Sequence, residues 1–427
     1  MSIRDEVKKI KEAAPYLAAA SCEMRNAALR NAVKALNDNK EEIFKANQKD
    51  IENAKTAGIS ASIIKRLVFD EHKLADCISG IEQLIKLPDP IGKVTLAREL
   101  DEGLDLYRIT CPIGVIGVVF EARPDALVQI SSLCIKSGNC AVLKGGRETA
   151  ESNKVLFKIM HDAAVQAGLP DKWSMQAMQH EEIDELLQCH EYVDLLIPRG
   201  SNAFVQYIMN NTKIPVMGHA DGICHTYVDR EYDADQAIKI ILDAKTQYPA
   251  ACNATETLLV DRKIARDFLP ILAEKAREAG VSLNGTAEVR DIIKDAALIS
   301  DDDFRREYLD LCMSVKIVDG VSEAISHINK NGSGHTDCII SKNEANIKLF
   351  MQLVDSAGVY ANCSTRFADG FRYGFGAEVG ISTGKIHARG PVGLEGLVTY
   401  KYNLYGTGHI VADYAEGRRQ FHFKDLN

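Results

Sequence analysis

From Gly114 onward the chain alternates short β-rich runs with helical stretches, and that alternation constrains the fold more than any other feature of the sequence. Val115 to Phe120, Cys140 to Lys144, Val193 to Ile197 and Ile214 to Met217 read as strands, separated by helices at Asp125 to Lys136, Glu151 to Ala167 and Asn202 to Asn210. A helical crossover returns the next strand in the same direction, so the expected product is a doubly wound, parallel α/β sheet. A second series begins after Cys252, with strands at Thr257 to Val260, Ser314 to Val318, Cys338 to Ser341 and Gly358 to Ala361. The 427 residues suffice for two or three cores, and two α/β domains account for most of them.

The rest of the chain has a different texture. Helical spacing of Ala, Leu, Ile, Lys and Glu runs through Glu6 to Leu17, Cys22 to Leu36, Lys40 to Ala54 and Ala61 to Ile85. Leu87-Pro88-Asp89-Pro90 stops the helices, and Val94 to Thr110 switches to period two around a turn at Asp101-Glu102-Gly103. An isolated hairpin is marginal in water, so this one is expected to pack on another surface, including that of a second subunit. Tyr400 to Tyr405 reads as an exposed strand able to pair with it. Nine of the 30 glycines fall between 358 and 396, which marks either a ligand-approaching loop system or a turn-rich connection.

Charge and cysteine usage exclude several classes of function. With 51 Lys+Arg against 60 Asp+Glu and interleaved signs, the chain lacks the basic face that nucleic-acid binding needs, and a small-molecule substrate is expected. Ile113 to Phe120 is far short of a membrane span, and the N-terminal residues lack the apolar core of a secretory signal. The eleven cysteines are scattered singly without a CxxC pair, as reduced thiols of a cytoplasmic protein would be. Cys224-His225 would place its groups on opposite faces of a strand, so no metal site is expected.

Cys252 stands out among the thiols. In Tyr248-Pro249-Ala250-Ala251-Cys252-Asn253-Ala254-Thr255 it lies between small residues, after a helix-breaking proline and just before a strand, where a bend leaves it reachable by substrate. Cys134, Cys140 and Cys338 read instead as buried small hydrophobes. Lys144, Gly145 and Gly146 end one strand and feed a helix, and Arg199, Gly200 and Ser201 do the same at another. Ligands of open parallel sheets bind beyond the carboxyl ends of strands, so Lys144 is placed to meet a cofactor phosphate or ribose, although no GxGxxG is present. Arg123 follows the first strand of the sheet and either forks an anion or pairs with Glu121 or Asp125. His219, His225, His335 and His387 fall near loops, where solvated or satisfied side chains are the commoner outcome.

In order along the chain, Pro112-Ile113-Gly114-Val115-Ile116-Gly117, Glu121-Ala122-Arg123-Pro124, Lys136-Ser137-Gly138-Asn139, Leu143-Lys144-Gly145-Gly146, Pro198-Arg199-Gly200-Ser201, Gly218-His219-Ala220-Asp221-Gly222-Ile223-Cys224-His225, Cys252-Asn253-Ala254-Thr255-Glu256-Thr257 and Gly376-Ala377-Glu378-Val379-Gly380 together resemble the aldehyde dehydrogenase superfamily, in its branch that reduces γ-glutamyl phosphate. The resemblance covers essentially the whole chain. It implies two doubly wound α/β domains plus a small β oligomerisation element: a cofactor-binding domain over 1–93 and 111–228, a catalytic domain over 229–362, an oligomerisation hairpin and strand at 94–110 and 400–420, and a Gly-rich return to the cofactor domain over 363–399. It also implies NADPH/NADP+ as cofactor, a homo-oligomer (dimer or tetramer), and the second step of proline biosynthesis, in which L-glutamyl 5-phosphate becomes L-glutamate 5-semialdehyde. Hand-off of the labile acyl phosphate from glutamate 5-kinase is a further expectation.

By position, Cys252 matches the nucleophile, with Asn253 an oxyanion donor, Lys144 meets the cofactor ribose, Gly200 and Ser201 start the helix near the cofactor, and Glu307 holds the nicotinamide ribose. Arg123, Arg366 and Arg389 are the candidates for the substrate's anionic groups. Hydrolytic members carry a glutamate that activates water, whereas the matching stretch here, Val216-Met217-Gly218-His219-Ala220, has no acid. Glu256, close to Cys252 in sequence, keeps a water-using aldehyde dehydrogenase open as an alternative. A noncatalytic two-domain small-molecule binding protein with an inert Cys252 is the other. Phe371-Arg372-Tyr373-Gly374 departs from the shorter acidic stretch of the branch and leaves the substrate loop unassigned.

Overall fold

Five helices open the chain: α1 (Ile3–Ala18), α2 (Cys22–Asp38), α3 (Lys40–Thr56), α4 (Ala61–Leu67) and α5 (Glu71–Lys86). Ser2, Ser21 and Asp70 accept backbone N–H bonds from the first turns of α1, α2 and α5, meeting donors that a helix start leaves unpaired. The single helix expected over Ala61 to Ile85 is in fact two. The buried Asn47 side chain donates to the Leu67 carbonyl at 2.7 Å and accepts from the Phe69 N–H at 2.8 Å, taking over the groups that would have continued α4, and Asp70 then starts α5 afresh. The computed structural model describes residues 2–177, 182–219 and 221–426.

The strands β1 (Val94–Asp101) and β2 (Leu104–Pro112) form the expected antiparallel hairpin, turning at Gly103 with φ 74°. Then follow β3 (Val115–Phe120), α6 (Pro124–Ser137), β4 (Cys140–Gly145), α7 (Ala150–Gln166), β5 (Ser174–Ala177), α8 (Glu182–Leu187), β6 (Leu195–Arg199) and α9 (Asn202–Asn211). The four strands are parallel in the order β5-β4-β3-β6. The stretch Ile214 to Met217, expected as a further strand, makes only one bridge, Val216 to Leu196, because Pro215 has no N–H to extend the ladder.

The second series is β7 (Cys224–Val228), α10 (Ala234–Thr246), β8 (Thr255–Asp261), α11 (Ala265–Glu278), β9 (Ser282–Gly285), α12 (Ala287–Ile292), β10 (Ala297–Leu298), β11 (Cys312–Val318), α13 (Val321–Asn331), β12 (Thr336–Ile340), α14 (Glu344–Leu353) and β13 (Gly358–Ala361). Its seven strands are all parallel, in the order β10-β9-β11-β8-β7-β12-β13. Leu258, Phe268, Leu272 and Val315 pack in one core cluster of this sheet, and Tyr227, Leu259, Ile328 and Phe350 in a second. Alternate residues of β8 thus serve both faces, which is why its strands read as continuous apolar runs rather than alternating ones.

The chain divides into two units, Met1–Met217 with Phe375–Gly380 and Val392–Asn427, and Gly218–Gly374 with Ile381–Pro391. Two of the expected boundaries therefore move. The first falls at 217 rather than 228, because β7 pairs with β8 and β12 and belongs to the second sheet. The Gly-rich segment 363–399 is not simply a return to the first unit, since 363–374 and 381–391 stay with the second. After the ribbon β14 (Gly380–Ser382) and β15 (Gly390–Val392), β16 (Val398–Tyr405) pairs antiparallel with β2 along its whole length, α15 (Val411–Ala415) follows, and β17 (Lys424–Asp425) closes the other edge on β1. No helix among the described residues is long and apolar enough to cross a membrane.

Candidate active site

Three turns of the second unit bring thiol and imidazoles together. Cys252 lies in the turn between α10 and β8, His335 immediately precedes β12, and His219 lies upstream of β7. Since β8, β7 and β12 are neighbours in one parallel sheet, the turns that lead into them stand side by side at the amino ends of the strands. The thiol is thus at the end opposite to the carboxyl-end crevice that open α/β sheets ordinarily use. At the carboxyl ends of this sheet, Asp229 is saturated by Tyr227, Ser341 and Asn346, and Asp261 by Arg230 and the Lys263 N–H.

The Cys252 thiol is partly exposed, and its Sγ lies 3.2 Å from Nε2 of the fully buried His335. The other ring nitrogen of His335, Nδ1, pairs with Thr336 Oγ1 at 2.9 Å and fixes the ring. His219 stands edge-on to His335 with ring centroids 5.0 Å apart, and its Nδ1 pairs with the Ile381 carbonyl at 2.9 Å. Backbone closeness holds the turn in place: a Cβ on Gly222 would come within 2.6 Å of the Cys252 Cα, so only glycine lets the segment before β7 run this close to the thiol-bearing turn. The Cys252 carbonyl also accepts from the Cys224 thiol. His335 and His219 carry no residue-level signal beyond a histidine in a glycine-rich turn ahead of a strand, as in Gly332-Ser333-Gly334-His335-Thr336, and the spacing alone did not single them out.

The neighbouring residues have defined commitments. Asn253 is buried, and its amide nitrogen donates to the Ala368 carbonyl at 2.8 Å, while its backbone carbonyl accepts from Thr365 Oγ1 at 2.7 Å. Asn253 therefore ties the 364–369 segment to the thiol turn, and its amide Oδ1 is buried without a hydrogen bond. That segment carries Arg366, buried, with Nε donating to Gln247 at 2.9 Å. Burial lowers the guanidinium pKa, and the nearby Arg372 lowers it further, while Cys252 acts in the opposite sense. Arg389 donates through Nη2 alone to the carbonyl and carboxylate of Asp355, and its buried Nε has no hydrogen-bond partner among the described residues.

Glu256 points into a buried ion pair with Lys245 at 2.8 Å, both side chains fully buried, and its second oxygen accepts from the Leu309 N–H. Burial pushes its carboxyl up to about 7 against the pull of Lys245. With both oxygens engaged, Glu256 anchors the turn that carries Glu307 and is not a free base beside the thiol. Glu307 is half-buried in that turn, in the same unit as Cys252. His225 forms a fully buried pair with Asp337 at 2.9 Å, and His387 is exposed at φ 65°.

In the first unit, Gly145, Phe120 and Arg199 are level across β4, β3 and β6, so the Lys144-Gly145-Gly146 and Arg199-Gly200-Ser201 turns leave the sheet together at its carboxyl ends. Lys144 is buried, its ammonium donates to the Gly145 carbonyl at 2.9 Å, and burial lowers its pKa. One of its three donors is used there, which leaves capacity for a hydroxyl or an anion. Gly145 is required by packing, because a Cβ would strike the amide of Asn153, a buried side chain held by Thr149 at 2.7 Å. Arg199 donates to the Val379 carbonyl at 2.9 Å, and the Ser201 N–H at the start of α9 donates to Glu121 at 3.0 Å. Arg123 is exposed at the start of α6, and no ion pair with Glu121 or Asp125 forms: Glu121 serves Ser201, and Asp125 faces Lys73.

Parallel α/β units of which one presents a strand-end lysine turn and the other a thiol against an imidazole define a class, the doubly wound α/β enzymes. The chain belongs to the aldehyde dehydrogenase family, whose profile matches residues 1–290. It is 54% identical over 427 residues to a γ-glutamyl phosphate reductase of Acetivibrio thermocellus, covering 100% of this chain and 99% of that one. It is 53% identical to a γ-glutamyl phosphate reductase of Pelotomaculum thermopropionicum, covering 100% and 98%. The crystal structure of the γ-glutamyl phosphate reductase of Thermotoga maritima superposes with a TM-score of 0.93 at 38% identity, over 95% of this chain and 99% of that one.

Proposed function

We propose that the chain is an NADPH-dependent reductase that converts L-glutamyl 5-phosphate to L-glutamate 5-semialdehyde and phosphate through a thioester on Cys252, in the proline branch of cytoplasmic amino-acid biosynthesis. The observation that carries this reading is the Cys252 thiol set 3.2 Å from His335 Nε2, in a chain akin over its full length to γ-glutamyl phosphate reductases. With Nδ1 paired to Thr336 Oγ1, His335 turns Nε2 to the thiol, and in the tautomer protonated at Nδ1 it is the base that takes the thiol proton. The thiolate attacks the acyl carbon, and phosphate leaves. Arg366, the buried cation of the 364–369 segment, is the candidate for the substrate's anionic end, with Arg123 and Arg389 as further candidates.

One observation supports a dinucleotide at the first unit's strand ends: the buried ammonium of Lys144 uses one of its three donors there. Lys144, Gly145, Gly146, Arg199, Gly200 and Ser201 would hold the cofactor there. NADPH, when bound, supplies the hydride that converts an acyl group to an aldehyde. The thiol and His335 release the product, His335 returning its proton to the sulfur. Phosphate rather than water opens the thioester in reverse, because Glu256 is bound to Lys245 and no acid occupies Val216 to His219. Association through the β16 edge and supply by the kinase that forms the acyl phosphate complete the proposal.

The test is the reverse reaction, with glutamate 5-semialdehyde and NADP+, following NADPH formation with and without inorganic phosphate. Turnover that requires phosphate supports the reductase. Equal turnover without phosphate means that water opens the thioester, and the chain is then a hydrolytic aldehyde dehydrogenase. Cys252→Ala is expected to fold, to bind NADPH and to be inactive, whereas an active Cys252→Ala removes the thioester.

A further inference from the structure

We propose that Cys252, His219 and His335 form a reversible site for Zn2+, whose occupancy caps the nucleophile. One ligand atom from each of the three residues lies within 4.8 Å of the others. A tetrahedral zinc ion with one sulfur and two imidazole nitrogens spaces its ligand atoms about 3.3–3.6 Å apart, from bond lengths of about 2.3 and 2.0–2.1 Å. The Cys252–His335 edge, at 3.2 Å, is near that spacing already. The other edges need to close by no more than about 1.2 Å between sulfur and nitrogen and about 1.5 Å between the two nitrogens, within the reach of side-chain rotation at the partly exposed Cys252 and His219.

The outer contacts of both imidazoles are those of metal ligands. His335 uses Nδ1 on Thr336 Oγ1, and His219 uses Nδ1 on the Ile381 carbonyl, so in each ring Nε2 is the nitrogen left to bind an ion. Hydrogen bonds of this kind fix the tautomer and aim the lone pair of a metal-bound histidine. Thiolate with two imidazoles is a donor set of the softness that zinc prefers over magnesium or calcium, and a water completes the fourth position. Binding replaces the thiol proton, which passes to solvent, and forms one Zn–S and two Zn–N bonds with no change of oxidation state. A thiolate so bound has its lone pair on the metal and does not attack an acyl carbon. Inhibition of turnover follows from the proposed thioester chemistry and rests on that reading; metal binding itself does not.

The experiment titrates the reduced, metal-free, full-length chain with Co2+, which reports on thiolate ligation through a charge-transfer band in the near ultraviolet. One equivalent is expected to raise that band, with visible bands of tetrahedral intensity, and Zn2+ to abolish both. Cys252→Ala is expected to lose the charge-transfer band although ten other cysteines remain. His219→Ala and His335→Ala are expected to weaken Co2+ binding roughly tenfold or more. Zn2+ should also protect Cys252 from iodoacetamide, read by mass spectrometry, in the wild type and not in His219→Ala, with EDTA restoring alkylation. A band that survives Cys252→Ala, or Co2+ binding unchanged in both histidine variants, overturns the site. Phosphate-dependent turnover by the metal-free enzyme without any cobalt band overturns the metal site and leaves the reductase standing. A cobalt band assigned to the three residues in a protein without turnover does the reverse.

Discussion

At the scale of single residues, the position with least freedom beside the thiol is Gly222. A methyl group there meets the Cys252 backbone, and backbone cannot step aside as a flexible side chain can. Gly222→Ala is expected to leave the second sheet folded and to displace the Cys252 turn, lowering kcat/KM on the order of a hundredfold, the cost of misplacing a reacting group by about 1 Å. Steady-state kinetics beside the rate of Cys252 alkylation checks this: a variant with unchanged values for both would mean the turn tolerates the shift. His335→Asn keeps a polar side chain but no base at the thiol, and is expected to slow turnover by about 10²–10⁴ while Cys252→Ala abolishes it. Cys252 itself is legible in the sequence because a proline, three alanines and a following strand describe a reachable bend. His335 is not, because what makes it special is the adjacency of β12 to β7 and β8, which no local spacing encodes. The same reason explains Glu256, whose nearness to Cys252 in sequence conceals that it points into the Lys245 pair.

At the scale of elements, strand and helix periodicities carried most of the architecture, and two of the misses trace to a side chain that substitutes for backbone hydrogen bonds or a proline that withholds one. Asn47 divides the helix between 61 and 85, and Pro215 reduces a strand to a bridge. Helix α13 brings a further consequence for stability. His327, buried on its inner face, stands edge-on to Phe304 at 4.9 Å and faces His225, with its Nε2 unpaired and Nδ1 at 3.2 Å from Asn331. Burial pushes its pKa down from 6.5 to about 3, with His225, Lys316 and Lys330 acting in the same sense. The folded state therefore binds this proton less readily than the unfolded state. The stability it secures is fully present above about pH 6.5 and falls as pH drops from 6.5 toward 3, by about 2 kcal/mol at pH 5. His327→Leu removes that titration, and its urea midpoint should vary less between pH 8 and pH 5 than that of the wild type. An equal slope in both proteins would assign the acid sensitivity to other groups.

At the scale of the whole molecule, the four-stranded sheet β16-β2-β1-β17 stands apart from the two parallel sheets in both direction and exposure. β16 is its edge, with unpaired backbone groups on one side, and Tyr400, Tyr402 and Leu404 lie on one face of it, each more than half exposed. Tyr400 and Tyr402 stand edge to face at 5.7 Å, and the Arg108 guanidinium lies 5.1 Å above the Tyr400 ring. An ordered aromatic stripe along an open edge is the combination that natural proteins otherwise blunt with charge or proline, and its retention fits a surface that is covered by a second copy of the chain. The oligomerisation role expected for the hairpin and Tyr400 to Tyr405 thus becomes a prediction about association rather than about folding, because these side chains contribute little to either α/β core. Tyr402→Glu combined with Leu404→Lys should weaken self-association by about 3 kcal/mol, roughly a hundredfold, while the far-ultraviolet circular dichroism stays unchanged. Sedimentation velocity across a concentration series measures this directly. The variant is expected to sediment as monomer where the wild type is oligomeric; a wild type that sediments as monomer throughout, or a variant that associates as tightly, removes β16 as the interface.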